Sequence, residues 1–520
     1  MTCHLSSRWC LSSTSLPQVK SLFNFLLGIS IEWDLDDINL AESGAICRNY
    51  LNKYYKSVKD EQITANWIFI GCLPLWGERH SLCPIIHDFN LKALGDADDA
   101  SVCLMLPQLV RAIISTRDTL SFESVVQRTI GDSCSTGHLF WLLMTELDLG
   151  TQDKRFLTIA VYKLLTTTSF RRSLKLQGGL IEKLVKLANT LAAERCSFAE
   201  KKQLFKKLLL CSSFGLDLFE PVRWPLNTSL SITTIVVDEC TLFHSQLCPM
   251  LLTFMTTCGK RVKCIFKLGD DLRQDALVMQ MTKSIRRVLG EILPISCDNI
   301  VHYHVLSTGS NHGLVEYVPS RCLEDLLPTV KGNCNWLPHE QIDRFIESCA
   351  FYSVWSYILC VGDRHLDNIL VTEDGRFFHI DYSFLGREPK PFAPNIKLCP
   401  DILFLFGGRD SDNYRRFLTL CVKVFHVLQS TSLLWLQQFS MSMDVGIMDI
   451  NRGVLEKIQQ RLLVDEINLV AEINKAFDSR LPQVMDNFHR TWKVINGGRV
   501  TDTVDEEWCD VDASMCGSDA

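Results

Sequence analysis

Between about residues 21 and 218, apolar positions recur at helical spacing. Leu180, Ile181, Leu184, Val185, Ala188 and Leu191 share one face of a 3.6-residue helix, and similar stripes run through Leu104 to Ile114, His138 to Leu149 and Phe156 to Leu165. No one of these helices can hide its stripe alone, so the succession predicts a solenoid-like helical array, although no exact repeat marks a unit length. The apolar stretch from Ser21 to Ile31 is too short to span a bilayer and lacks a basic start and a cleavage site, so it reads as a core helix.

The pattern changes at Phe219-Glu-Pro-Val-Arg-Trp-Pro, where two prolines break helices. Leu230-Ser-Ile-Thr-Thr-Ile-Val-Val alternates and is β-branched, and Arg261-Val-Lys-Cys-Ile-Phe-Lys267 reads as a second strand. After a Gly-Asp-Asp turn, Leu272, Leu277, Met281, Ile285, Val288, Leu289 and Ile292 predict an amphipathic helix capped by Asp270 or Asp271. The remainder to about residue 495 is mainly helical, interrupted by a loop-rich stretch from 361 to 400. The last stripe, from Ile467 to Ile495, carries His489, Arg490 and Lys493 and suits either a membrane interface or packing on its own domain.

Length and composition refine this outline. A chain of 520 residues, 47% of them hydrophobic, exceeds what one core usually organises. The formal net charge is −7, but residues 496 to 520 hold seven acids and a single base, so the body is nearly neutral. That balance argues neither for nucleic acid nor for a strongly anionic membrane as a partner, and no nucleic acid is expected. The 22 cysteines lack paired metal-ligand spacing and read as free thiols in a reducing compartment.

Phosphoryl transfer needs a cation on the nucleotide phosphates, oxygen ligands for a divalent metal and a group that orients or deprotonates the attacking hydroxyl. Asp363-Arg-His-Leu-Asp-Asn368 supplies a candidate base, Asp363, an assisting imidazole, His365, and an amide, Asn368. Asp381, following Phe378-His-Ile on an expected strand, joins Asn368 as a candidate ligand for Mg²⁺, or Mn²⁺ in its place. Lys267, at the end of a strand, can reach the ATP phosphates, with Asp275 placed to fix it. Between Asp381 and Leu398 the basic residues are Arg387, Lys390 and Lys397, candidate substrate contacts too few to match several phosphates.

Lys267-Leu-Gly-Asp-Asp-Leu-Arg-Gln-Asp275, Val361-Gly-Asp-Arg-His-Leu-Asp-Asn-Ile369 and Phe378-His-Ile-Asp381 resemble the signature segments of the phosphatidylinositol 3/4-kinase superfamily. Leu385-Gly-Arg-Glu-Pro-Lys-Pro391 resembles the activation loop of its class III 3-kinases, Thr241-Leu-Phe-His-Ser-Gln-Leu-Cys-Pro249 the phosphate-binding loop, and Ile31-Glu-Trp-Asp-Leu and Ala97-Asp-Asp the helical domain. The resemblance covers about residues 21 to 495. It implies an α+β fold: a bilobal protein-kinase-like catalytic domain at 219–496, with a small β-containing N-lobe and a mainly helical C-lobe. A helical accessory domain at 21–218 would precede it, after an N-terminal segment at 1–20, and an acidic disordered tail would follow at 497–520.

By the same resemblance Ser245 and Lys267 contact the phosphates of MgATP, Tyr303 and Asp275 line the pocket, Glu316-Tyr317-Val318 form the hinge to adenine, Ile380 packs under the ring, and Arg364 joins Asp363 and His365 in catalysis. The implied product is phosphatidylinositol 3-phosphate, made in trafficking and autophagy by a cytoplasmic enzyme peripheral on endosomal, vacuolar or autophagosomal membranes. The implied protein partners are a protein-kinase-like regulatory subunit and an autophagy scaffold. That expectation is weakened because the chain shows no lipid-binding β-sandwich pattern ahead of the helical region, as in a divergent short form or an incompletely described start.

Two further departures bear on chemistry. Asp381-Tyr-Ser383 stands where the family has Asp-Phe-Gly, and serine lacks glycine's access to positive φ, which would lower activity. His244 stands where a lysine is common. The rival readings are an inactive scaffold and a 4-kinase or protein kinase of the same superfamily.

Overall fold

A computed structural model describes residues 84–479, except 212–219, 246, 331–336, 363, 387–393, 397, 399, 444–446 and 448–449. The apolar stretch at 21–31, the terminal segment beyond 479 and the acidic tail lie outside the described residues.

Among the described residues seven helices come first: α1 (Pro84–Asp96), α2 (Asp99–Thr116), α3 (Thr119–Thr129), α4 (Ser133–Leu149), α5 (Lys154–Thr167), α6 (Arg171–Ala193) and α7 (Phe198–Leu210). Their starts are set by capping side chains that satisfy first-turn N–H groups. Asp98, Asp118 and Asp132 accept from Ser101, Ser121 and Ser135 N–H at 2.8, 3.1 and 2.7 Å, and Ser197 with Glu200 closes a capping box. All four helical stripes read from the sequence are helices here, α2, α4, α5 and α6.

The chain then forms an antiparallel sheet of β1 (Val222–Trp224), β2 (Asn227–Ile235), β3 (Thr241–Leu242), β4 (Met250–Thr256), β5 (Arg261–Leu268), β6 (Val305–Ser307) and β7 (His312–Glu316), in the order β1-β2-β4-β5-β7-β6 with β3 beside β4. Both predicted strands are present as β2 and β5. The long helix α8 (Arg273–Ile292) leaves the end of β5. After β7, β8 (Ser320–Cys322), β9 (Ile369–Thr372) and β10 (Phe377–His379) make a second, three-stranded sheet among α9 (Leu323–Val330), α10 (His339–Ile358), α11 (Pro400–Leu405), α12 (Asp412–Ser430), α13 (Ser432–Ser440), α14 (Arg452–Leu462) and α15 (Glu466–Asp478).

Two apolar cores organise these elements. One runs without a break from Leu106, Leu139 and Leu184 on the helices into Ile232, Leu252 and Phe266 on the large sheet. Helices α1 to α7 therefore bury their stripes partly against the sheet as well as against one another. The second core is centred on α10, buried from Phe345 to Ile358, and takes in α8, α12, the small sheet and Ile473 and Phe477 of α15. The described half of the terminal stripe thus packs inward, although Ile467 is 76% exposed. Among the described residues no helix is long and apolar enough to cross a membrane.

Candidate active site

The site lies where the end of β5 and the first turn of α8 meet the segment after β10. Lys267 on β5 pairs with Gly313 on β7, and only glycine fits there, because a Cβ would stand 2.3 Å from the Leu306 carbonyl oxygen. Gly269 then turns the chain with φ +90.

Lys267 Nζ donates to Asp270 Oδ2 at 2.7 Å. The sequence had pointed to Asp275 as its partner. Asp275 is buried in the first turn of α8 and instead accepts from the Tyr382 N–H at 3.3 Å, while the turn at Gly269 folds Asp270 back onto the ammonium. Burial, then repulsion from Asp381 and Asp270 against the pull of Lys267, pushes Asp275 up to about 7. Burial opposes the charge on Lys267, but Asp270, Asp275 and Asp381 outweigh it and hold its pKa above the ordinary value.

Of the two aspartates expected to cap α8, Asp271 accepts the N–H of Arg273, the first helical residue, through Oδ1 at 3.1 Å and holds its guanidinium through Oδ2 at 2.6 Å, while Asp270 is engaged by Lys267 and Leu272 stands at the cap position itself without a side-chain bond.

On the other side, Leu366–Asn368 forms a short 3-10 turn. The buried Asn368 donates its N–H to His365 O at 3.0 Å, and its carbonyl accepts from the Ile380 N–H at 3.1 Å. That bond brings Asn368 alongside Asp381. Asp381 lies just beyond β10 with φ +60, a conformation that a non-glycine residue keeps only when its surroundings enforce it.

Three grips are visible. Arg364 donates to Gly362 O at 3.0 Å, to Ile380 O at 2.7 Å and to Asp381 O. Gln274, buried on α8, donates to the Tyr382 carbonyl at 2.5 Å while Asp275 holds the N–H of the same residue. Ser383 donates its hydroxyl to Asp381 Oδ1 at 2.6 Å and its N–H to the same oxygen at 3.2 Å.

Arg364, expected in the chemistry, therefore spends its donors on backbone carbonyls and shapes the loop. Ser383 does not adopt positive φ; the left-handed residue of this segment is Asp381. Burial raises the pKa of Asp381, but Lys267, Ser383 and Arg364 together hold it below the usual carboxylate value. His365 Nδ1 is 3.8 Å from Asp367 Oδ2. Asp363, Arg387, Lys390 and Lys397 lie outside the described residues.

On the nucleotide side, Ser245 is exposed in the turn after β3, donating its N–H to Phe243 O at 3.1 Å and accepting from Cys248 N–H at 3.2 Å. A Cβ on Gly269 would meet Leu247 Cδ2 at 3.0 Å, so this turn lies over the one that follows Lys267. The His244 ring packs on Phe198 of α7 at 4.2 Å. Glu316 ends β7 and accepts from His304 N–H at 2.9 Å; Tyr317 N–H donates to Lys263 O at 3.2 Å. Val318 and Ile380 both pack on the second core, and Tyr303 is buried with its ring 6.3 Å from Phe378.

Reading the sequence missed Gln274 and the positive φ of Asp381. Gln274 stood in the quoted motif beside Asp275, but its bond to Tyr382 spans 108 residues and has no local signal.

A sheet that presents a lysine to a carboxylate on a mainly helical partner region is the arrangement of a kinase-type catalytic domain. The family described as "Phosphatidylinositol 3- and 4-kinase" matches residues 261–332 and 327–452, and the chain carries a catalytic domain of that family. It is similar to "Phosphatidylinositol 3-kinase VPS34" of Arabidopsis thaliana, 35% identical over 448 residues, 78% of this chain and 54% of the relative. It also resembles "Phosphatidylinositol 3-kinase pik3" of Schizosaccharomyces pombe, 31% identical over 78% of this chain and 56% of the relative. "Phosphatidylinositol 3-kinase VPS34" of Saccharomyces cerevisiae is 30% identical over 76% and 49%. The chain spans about half the length of the curated relatives it matches.

Proposed function

We propose that this chain is a lipid kinase that transfers the γ-phosphate of ATP to the 3-hydroxyl of phosphatidylinositol. The observation that carries the reading is the electrostatic cluster of Lys267, Asp275 and Asp381, drawn from β5, α8 and the segment after β10, with Asn368 tied to it through Ile380. Similarity to relatives named phosphatidylinositol 3-kinases supports the substrate.

In this reading Lys267 exchanges Asp270 for nucleotide phosphate oxygens, and Ser245 contacts the phosphates from the turn above. Glu316 to Val318, Ile380 and Tyr303 receive the base. Asp363 takes the proton of the attacking hydroxyl, with His365 beside it, and Arg387, Lys390 and Lys397 face the lipid headgroup. Asp381 and Asn368 hold the divalent metal, which supplies positive charge to the phosphates. Their donor set fits: one ionised carboxylate and one amide oxygen match a hard cation that takes its remaining ligands from phosphate and water. Among the described residues there is no cluster of three His, Cys, Asp or Glu that would suit an all-protein site instead.

The proposed domains are the helical accessory region 21–218 and the catalytic domain 219–496, acting at a cytosolic membrane face of the endosomal and autophagic system.

The test offers purified protein ATP, Mg²⁺ or Mn²⁺, and vesicles containing phosphatidylinositol, its 4-phosphate or its 4,5-bisphosphate, with Asp381→Ala as control. Phosphatidylinositol 3-phosphate as the sole product, absent in the control, supports the reading. No phosphorylated lipid from protein shown to be folded would favour a scaffold; a 4-phosphate would indicate a 4-kinase.

A further inference from the structure

We propose that Ser383 sets the metal preference of the site by committing Asp381 to ligation through one oxygen. This rests on the assignment of Asp381 as a metal ligand. Both donors of Ser383, hydroxyl at 2.6 Å and N–H at 3.2 Å, converge on Asp381 Oδ1. Oδ2 is the oxygen that Ser383 leaves open.

Among the described residues no other hydrogen bond to this carboxylate is seen, although the charges of Lys267 and Arg364 act on it. Arg364 and the α8 pair Gln274 and Asp275 hold the backbone around it, at Asp381 O and at the carbonyl and N–H of Tyr382, and none of these bonds reaches the Asp381 carboxylate. The Ser383 hydroxyl therefore decides how the carboxylate is turned, and a bond from a neutral donor to a charged acceptor is among the stronger ones. Mg²⁺ demands octahedral geometry built from single oxygens, whereas Ca²⁺ is larger and accepts both oxygens of one carboxylate. A carboxylate with one oxygen engaged is matched to the first ion and mismatched to the second. Ser383 is thus a positioning residue: it acts on the metal only through Asp381.

The experiment measures calorimetrically the binding of a non-hydrolysable ATP analogue to the full chain in Mg²⁺ and in Ca²⁺, for wild type, Ser383→Ala and Ser383→Thr. In Ser383→Ala the affinity in Mg²⁺ should fall about tenfold, the worth of one charge-assisted hydrogen bond, while that in Ca²⁺ holds or rises as the mismatch is relieved. Ser383→Thr, which keeps the hydroxyl, should restore the wild-type ratio. An unchanged Mg²⁺ to Ca²⁺ ratio in Ser383→Ala, or a threonine variant that behaves like alanine, overturns the proposal. Wild-type protein whose nucleotide binding ignores the metal altogether overturns the metal assignment and this inference with it, so the two failures are told apart.

Discussion

The ammonium of Lys267 donates to Asp270, three residues along the chain, and reaches Asp275 and Asp381 only through the electric field. Nucleotide phosphates would therefore meet a lysine whose charge is already partly balanced by a neighbouring carboxylate. Lys267→Met should lower turnover at least about a hundredfold, the scale of losing a preorganised charge in phosphoryl transfer. It would also leave three carboxylates without their cation. Rates at saturating ATP, with analogue binding by calorimetry, check this.

Gln274 and Asp275 clasp Tyr382 through its carbonyl and its N–H. Gln274→Leu keeps the volume and strips the Tyr382 carbonyl of a buried donor, so it should cost about 1–3 kcal/mol in urea unfolding. Turnover should fall more than ATP affinity, because the loss falls on the segment holding Asp381.

The exposed His244 ring packs on Phe198 of α7. His244→Lys should cost about 1 kcal/mol by losing the ring contact. The KM for ATP should change less than about twofold. A large drop in KM would mean that the side chain at this position reaches the nucleotide.

His138, on α4, is held down to about 4 by burial first, then by Lys283 and His304. Its folded pKa lies below the unfolded value of 6.5, so the unfolded chain binds more protons between the two. The stability of the neutral form is present above pH 6.5 and is lost as pH falls towards 4, by at most roughly 3 kcal/mol. Asp275 has the opposite sign: raised to about 7, it contributes stability below its unfolded value that is lost as pH rises through 7. Urea unfolding of wild type and His138→Gln at pH 7 and pH 5 should show a smaller acid loss in the variant.

Gly313→Ala should destabilise the chain by more than about 2 kcal/mol, since the added methyl meets a backbone oxygen of β6 and Leu272 Cδ1 at 2.8 Å and the backbone cannot give way cheaply. Thermal denaturation measures it.

Periodicity was enough to find α2, α4, α5, α6 and α8, and the strands β2 and β5, because each has an apolar face that repeats every 3.6 or 2 residues. Motif order was enough to nominate Lys267, Asn368 and Asp381. The sequence could not say which carboxylate would take Lys267, because Asp270, Asp271 and Asp275 are all close in sequence and only the turn at Gly269 chooses among them. Nor could it show that Arg364 would be consumed by carbonyls of Gly362, Ile380 and Asp381, or that Asp381 would carry the left-handed backbone, since both depend on segments 16 or more residues apart being folded together. The shared core of helices and large sheet was equally hidden. Local sequence encodes which face of an element is apolar, while the surface it meets is decided by where the rest of the chain is packed.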